Sequence, residues 1–287
     1  MSPEFSIDRG PLPARLSSRV VAITGASAGI GRVTAEACAR EGAAVALFAR
    51  RVDRLNAVVE TIKRHGGAAL AVEGDVTKVA DVERLVRSAV DTFGRLDVMM
   101  CNAGIGFHGS IDDTTPEAMR RLVDVNILGT FYAARAAVRV FRTQGRGHVI
   151  AVSSVSGRRG VGGTSVYSAT KAAQVAFIES LRAEFAGTGL NATVVLPVVT
   201  PTEFHDAIKR DFGHVMKPGG PRQSAERVAD AIVRCIIRPR PEVYPYPRAR
   251  LLSVLNVLAP ATTDRFMQRF GRHRKPSSVR SDVDTHA

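Results

Sequence analysis

Tyr167 and Lys171 stand four residues apart in Tyr167-Ser-Ala-Thr-Lys171, with Ser154 thirteen residues upstream. On a helix, positions i and i+4 share a face and their side chains can meet. An ammonium beside a phenol favours the phenolate. A group with an ordinary pKa of about 10 then moves toward neutrality and can exchange protons. This four-residue spacing arises often by chance and carries little alone. It gains weight from a second stretch, Thr24-Gly-Ala-Ser-Ala-Gly-Ile-Gly31. Gly25, Gly29 and Gly31 lie between an apolar run and a helical pattern, where absent side chains let the backbone approach a pyrophosphate at a helix N-terminus. Proton transfer beside a dinucleotide cradle points to hydride chemistry. The glycine spacing is GxxxGxG, so the commoner GxGxxG fingerprint is not matched.

The elements that must position these groups follow from hydrophobic patterning. Apolar runs at 20–24, 43–48, 68–72, 98–101, 148–153 and 192–196 read as buried strands. Helical stretches near 30–41, 53–65, 78–93, 115–142 and 165–186 separate them. Continuous apolar strands alternating with helices predict an α/β, three-layer, doubly wound parallel sheet of the Rossmann type, with its ligand crevice at the strands' carboxyl ends. Each motif above falls at such an end or on the following helix. Residues 1–18 read as a flexible arm, and 19–244 as one domain. Within it, 201–222 form a helical excursion and substrate lid, hinged at Gly219 and Gly220. Residues 224–237 form a further helix and 242–244 a last strand. The extension 245–287 carries a short apolar helix at 251–258 stopped by Pro260, with Phe266, Met267 and Phe270 continuing the apolar theme.

Composition excludes several classes. The 287 residues carry 40 Lys and Arg against 27 Asp and Glu, a net charge of +13. No basic run is interleaved with aromatics and no zinc-finger spacing occurs, so nucleic acid is not expected as a partner. Cys38, Cys101 and Cys235 are too few and too scattered for a disulfide framework or a zinc site, and the histidines show no ligand spacing, so no metal is expected. The first residues lack the pattern of a signal peptide, and no apolar run reaches the roughly 20 residues of a membrane span. The expected location is the cytoplasm.

The motifs together resemble the short-chain dehydrogenase/reductase family over about residues 18–240. The turn from Thr24 to Gly31 matches that family's cofactor turn, Asn102-Ala103-Gly104 its fourth-strand motif, and Asn126, Ser154, Tyr167 and Lys171 its catalytic tetrad in order and spacing. The resemblance implies hydride transfer between a nicotinamide and a carbonyl or secondary alcohol, with Tyr167 as general acid/base. Lys171 would lower the phenol's pKa and hold the nicotinamide ribose. Ser154 would bind the substrate oxygen, and Asn126 would hold a water that relays protons through Lys171. Gly25, Ser27, Gly29, Ile30, Gly31, Asp75, Val76, Asn102, Gly104, Pro197 and Thr202 would complete the cofactor site, with Asp75 and Val76 at the adenine. At the second strand's end stands Arg50, where an acidic residue would hold the ribose of NAD. A basic one suits a 2′-phosphate, so NADP(H) is expected over NAD(H), with Ser27 and Arg51 assisting Arg50.

Two departures bear on the substrate. Pro197-Val198 replaces the family's usual Pro-Gly, and the valine either narrows the pocket or turns outward. The second is the long tail, which holds ten basic and four acidic residues from 238 onward. It reads as a cap over the cleft or a subunit interface in preference to a membrane foot. Arg158 and Arg159 read as part of the basic surface in preference to a seat for an anionic substrate, and Cys101 as an inert strand thiol. The expected partners are a small carbonyl or alcohol substrate and further copies of the chain in a homo-oligomer. Two other readings are a catalytically silent NADP(H) sensor or scaffold, and a membrane-peripheral lipid or steroid reductase.

Overall fold

The computed structural model describes residues 14–213 and 220–271, with 266–271 as backbone only. Seven parallel strands form one sheet in the order β3-β2-β1-β4-β5-β6-β7. They are β1 (Val20–Thr24), β2 (Ala44–Ala49), β3 (Ala69–Glu73), β4 (Val98–Cys101), β5 (Gly147–Val152), β6 (Leu190–Val195) and β7 (Glu242–Val243). Each apolar run divides between two faces, because alternate strand residues point opposite ways. Ala22, Phe48, Met99 and Ala151 meet α3 (Val79–Phe93), α5 (Gly129–Gln144) and α6 (Ser165–Glu184). Ile23, Leu47, Met100 and Ile150 meet α1 (Gly29–Arg40), α2 (Val52–Arg64) and α8 (Ala225–Ile237). This is the predicted three-layer, doubly wound Rossmann-type architecture. Strand order reverses between β1 and β4, and their carboxyl ends flank the crevice.

At the opposite rim, Asp97 is buried at the start of β4. Its carboxylate accepts from Val20 N at 2.9 Å and Arg95 Nε at 2.8 Å, with Arg19 and Arg146 at 3.6 and 3.9 Å. Its backbone bonds both Val20 O and His148 N. One residue thus ties β1, β4 and β5 at their amino ends.

The expected helix at 115–142 is divided. Residues form α4 (Pro116–Leu122), a π-helical turn over Val123–Leu128, then α5. The expected lid contains α7 (Glu203–Phe212), while 214–219, with Gly219 of the expected hinge, lie outside the described residues. Gly220 has a φ of +94°. The tail forms α9 (Arg248–Leu258) and, restarting at the proline, α10 (Pro260–Gly271). The side chains of Phe266, Met267 and Phe270 lie outside the described residues, as do residues 1–13 and 272–287. The part of the expected arm that is described is docked: Leu16 is buried, its N–H bonds Glu41 O at 2.7 Å, and Arg15 pairs with Glu41.

Candidate active site

The glycine turn is held in shape by β4. Asn102 Nδ2 donates to Thr24 O at 3.0 Å and to Gly25 O at 3.2 Å, while Asn102 N and Ala103 N each donate to Thr24 Oγ1 at 3.0 Å. A Cβ on Gly25, whose φ is +69°, would stand 2.8 Å from Ala103 Cα, and one on Gly31 would stand 2.4 Å from Gly25 O. Both positions therefore require glycine for space, and Gly25 also for its backbone. No side chain caps α1 and no acidic residue occupies its first turn. Such an end, with Gly29 and Ile30 on the cleft wall, suits an anion. The chemistry of this cradle fits the pyrophosphate of a dinucleotide.

At the end of β2, Arg50 is exposed on the cleft wall, and Arg51 Nη2 donates to Ser27 Oγ at 3.1 Å. Arg51, assigned an assisting place beside Arg50, is thus the arginine bonded to the turn. Asp75 and Val76 line the same cleft; Asp75 Oδ1 accepts from Thr77 N and Oγ1 at 2.9 Å. Asn102, Gly104, Pro197 and Thr202 border it too. Thr202 caps α7 and lies 3.3 Å from where a Cβ on Gly29 would be.

Ser154 leaves the end of β5 and caps a short 3-10 turn, Val155–Gly157. Tyr167 and Lys171 share a face of α6. The Tyr167 ring is partly open to the cleft, yet desolvation pushes its phenol up to about 12, with the Ser154 hydrogen bond pulling downward. Burial brings Lys171 down to about 7. Its Nζ lies 5.8 Å from the Tyr167 ring centre and donates to Val152 O and Gln174 Oε1, both at 3.0 Å. In the protein by itself desolvation dominates, and both groups are pushed toward their uncharged forms.

Asn126 is fully buried in the π-helical turn. Its Oδ1 accepts from Ile105 N at 2.8 Å, and its Nδ2 donates to Ile105 O and Thr170 Oγ1. The side chain is therefore fully employed. Its carbonyl oxygen accepts from Gln174 Nε2 at 2.9 Å and Thr130 Oγ1 at 2.8 Å. The side chain of Gln174 joins the Asn126 backbone carbonyl to Lys171 Nζ. Sequence reasoning missed Gln174; its place three residues after Lys171 on one helix face was the available signal.

The cleft measures about 2220 Å³. Phe204 and Ile208 of α7 wall it, Phe204 lying 6.1 Å from the Tyr167 ring between centres. Val198 is buried and borders the cleft. Ala249, Leu252 and Ser253 of α9 form the facing wall. Arg158 and Arg159 are not the solvated arginines expected. Arg158 pairs with Glu179 at 2.7 Å and with Glu242, and Arg159 with Asp264 of α10. The three cysteines are free and buried, and burial pushes the Cys101 thiol up to about 12, as an inert strand residue requires.

Among the described residues, no helix is long and apolar enough to cross a membrane. The sequence profile described as short chain dehydrogenase matches residues 19–212. An uncharacterized oxidoreductase, YxnA, of Bacillus subtilis (strain 168) is 33% identical over 279 residues, which cover 93% of this chain and 78% of the relative. A short chain dehydrogenase/reductase from Burkholderia phymatum, solved in complex with NAD, superposes with a TM-score of 0.78 at 22% identity, covering 92% of this chain and 99% of that one. An alcohol dehydrogenase from the archaeon Thermococcus sibiricus, complexed with 5-hydroxy-NADP, gives 0.69 at 28% identity over 79% and 95%.

Proposed function

The chain belongs to the short-chain dehydrogenase family, and from that premise we propose that it is an NADP(H)-dependent oxidoreductase acting on a carbonyl or secondary alcohol. The observation that carries this reading is one cleft lined by Ser154, Tyr167 and Lys171 together with the glycine turn and Arg50 and Arg51. A nicotinamide held in this cleft would supply the hydride chemistry at the substrate carbon. Tyr167 gives the proton to the substrate oxygen in reduction and takes it in oxidation. Ser154 holds that oxygen and stabilises charge developing on it. Lys171 would hold the nicotinamide ribose, and its ammonium, together with the positive charge of an oxidised cofactor, would bring the phenol down. Asn126 fixes the loop after β4 through its two bonds to Ile105. Arg50, Arg51 and Ser27 support NADP(H) over NAD(H), since guanidinium suits a phosphate where a carboxylate would suit free ribose hydroxyls. The remaining cofactor contacts are Gly25, Gly29, Ile30, Gly31, Asp75, Val76, Asn102, Gly104, Pro197 and Thr202. Residues 19–244 form the dehydrogenase domain, α7 its lid, and 245–287 an extension whose first helix closes the substrate side.

Tyr167→Phe is the decisive variant. Turnover with a carbonyl panel and NADPH falls about a hundredfold or more, while the NADPH dissociation constant stays near the wild-type value. Undiminished turnover would remove Tyr167 from the mechanism. Tight NADPH binding by the wild type without turnover across the panel would favour the silent sensor instead.

A further inference from the structure

Glu203, the first residue of α7, points its carboxylate into the arginines that follow β2. Its Oε2 lies 3.4 Å from Arg51 Nη1 and accepts a hydrogen bond from Arg54 Nη1. Arg51 also donates to Ser27 of the glycine turn. One anionic oxygen therefore occupies a nest of two guanidinium groups beside a hydroxyl, on the wall of the cofactor cleft. Guanidinium forks accept carboxylate and phosphate in the same geometry. Pairing with Arg54 foremost, then Arg51, holds the Glu203 carboxyl below its ordinary range, so it is charged at neutral pH.

We propose that Glu203 is a built-in competitor for the cofactor's 2′-phosphate, and that its displacement unties the first turn of the lid helix. The inference rests on the NADP(H) reading above. Arginines committed to a carboxylate must exchange it for an incoming phosphate, because two anions in one nest repel. The phosphate carries about twice the charge of the carboxylate and prevails. All three side chains are about half exposed, at 44%, 49% and 52%, and exposed pairs of this kind are weak enough to be exchanged.

The consequence runs along α7. Its far end is fastened independently: Arg121 reaches Asp211 at 2.9 Å and lies 5.3 Å from the Phe212 ring centre, and that ring meets Phe107 edge-on at 5.2 Å. Phe204 and Ile208 lie between the two fastenings and face the substrate side of the cleft. Releasing Glu203 removes one tie from the first turn, which Thr202 still caps, and Phe204 beside Tyr167 is the cleft-facing residue next to that tie. A phosphorylated ribose thus loosens the substrate wall, whereas an unphosphorylated one leaves it tied.

The test is calorimetric titration of the full chain with 2′,5′-ADP and with ADP, for wild type and Glu203→Gln. The wild type binds 2′,5′-ADP more tightly than ADP. Glu203→Gln tightens 2′,5′-ADP a further three- to tenfold or so, the scale of two exposed ion pairs, and changes ADP by a smaller factor, since ADP lacks the 2′-phosphate that competes for the two arginines. Hydrogen exchange in the first turn of α7 rises with 2′,5′-ADP but not with ADP. Unchanged or weaker 2′,5′-ADP binding by Glu203→Gln, with the wild-type preference intact, overturns the competitor role alone. No wild-type preference for 2′,5′-ADP overturns the NADP(H) reading and the inference with it.

Discussion

Gln174 is fully buried and has three partners: Lys171 at its oxygen, and the Asn126 carbonyl and Thr130 hydroxyl at its nitrogen. An amide in this position holds Lys171 in place and supplies an acceptor that favours its charged form. Gln174→Leu removes that acceptor, so the Lys171 pKa falls below about 7. If the ammonium is the active form, activity declines as pH rises through that pKa. The declining limb of kcat/KM against pH therefore moves to lower pH by about one pH unit in Gln174→Leu. In Gln174→Glu a carboxylate beside Lys171 moves it the other way. A limb unmoved in both variants would leave Gln174 with packing alone. Tyr167, Lys171 and Ser154 were legible from residue type and spacing, because proton chemistry needs those groups. Gln174 was not, since two of its three partners, Asn126 and Thr130, are brought from other elements. Arg158 misled for the same reason: its partners Glu179 and Glu242 are 21 and 84 residues away.

At the scale of elements, strands were the most readable part, since the inner ones are apolar runs buried on both faces. The six main strands lie within two residues of their expected ends. The π-helical turn was hidden inside a pattern that otherwise continues as a helix from α4 to α5. A widened turn is set by what its backbone meets, here Gln174 and Thr130 at the Asn126 carbonyl, and apolar periodicity does not record it. The glycine turn is the opposite case, where sequence and space agree. Gly31→Ala forces a methyl against Gly25 O and Asn102 Nδ2. The expected loss is about 1–3 kcal/mol of stability, seen as a lower Tm, together with weaker binding of 2′,5′-ADP. A melting temperature and affinity equal to wild type would show that the turn relaxes without cost.

At the scale of the whole molecule, the tail closes what the sheet opens. One side of α9 lines the cleft through Ala249, Leu252 and Ser253, while Leu251, Val257 and Leu258 face outward with more than 70% of their surface exposed. Arg159 and Asp264 fasten the next helix to the loop after β5. The apolar run was evident in sequence, but which residues turned inward depended on where α9 docked. Leu252→Glu places a charge on the substrate wall, remote from the glycine turn. KM for apolar carbonyl substrates should rise about tenfold or more, with NADPH affinity unchanged. Equal KM values would show that α9 touches no substrate.

The carboxylate of Asp97, with its four bonds and ion pairs to Val20, Arg95, Arg19 and Arg146, has a meaning for descent as well as for stability. It fastens the sheet at the rim away from the chemistry, so the opposite rim is free to vary. Lineages of such a chain can exchange lids, tails and pocket residues such as Val198 while the inherited frame stays unaltered. Diversification in substrate is then a matter of rewriting one edge of the molecule.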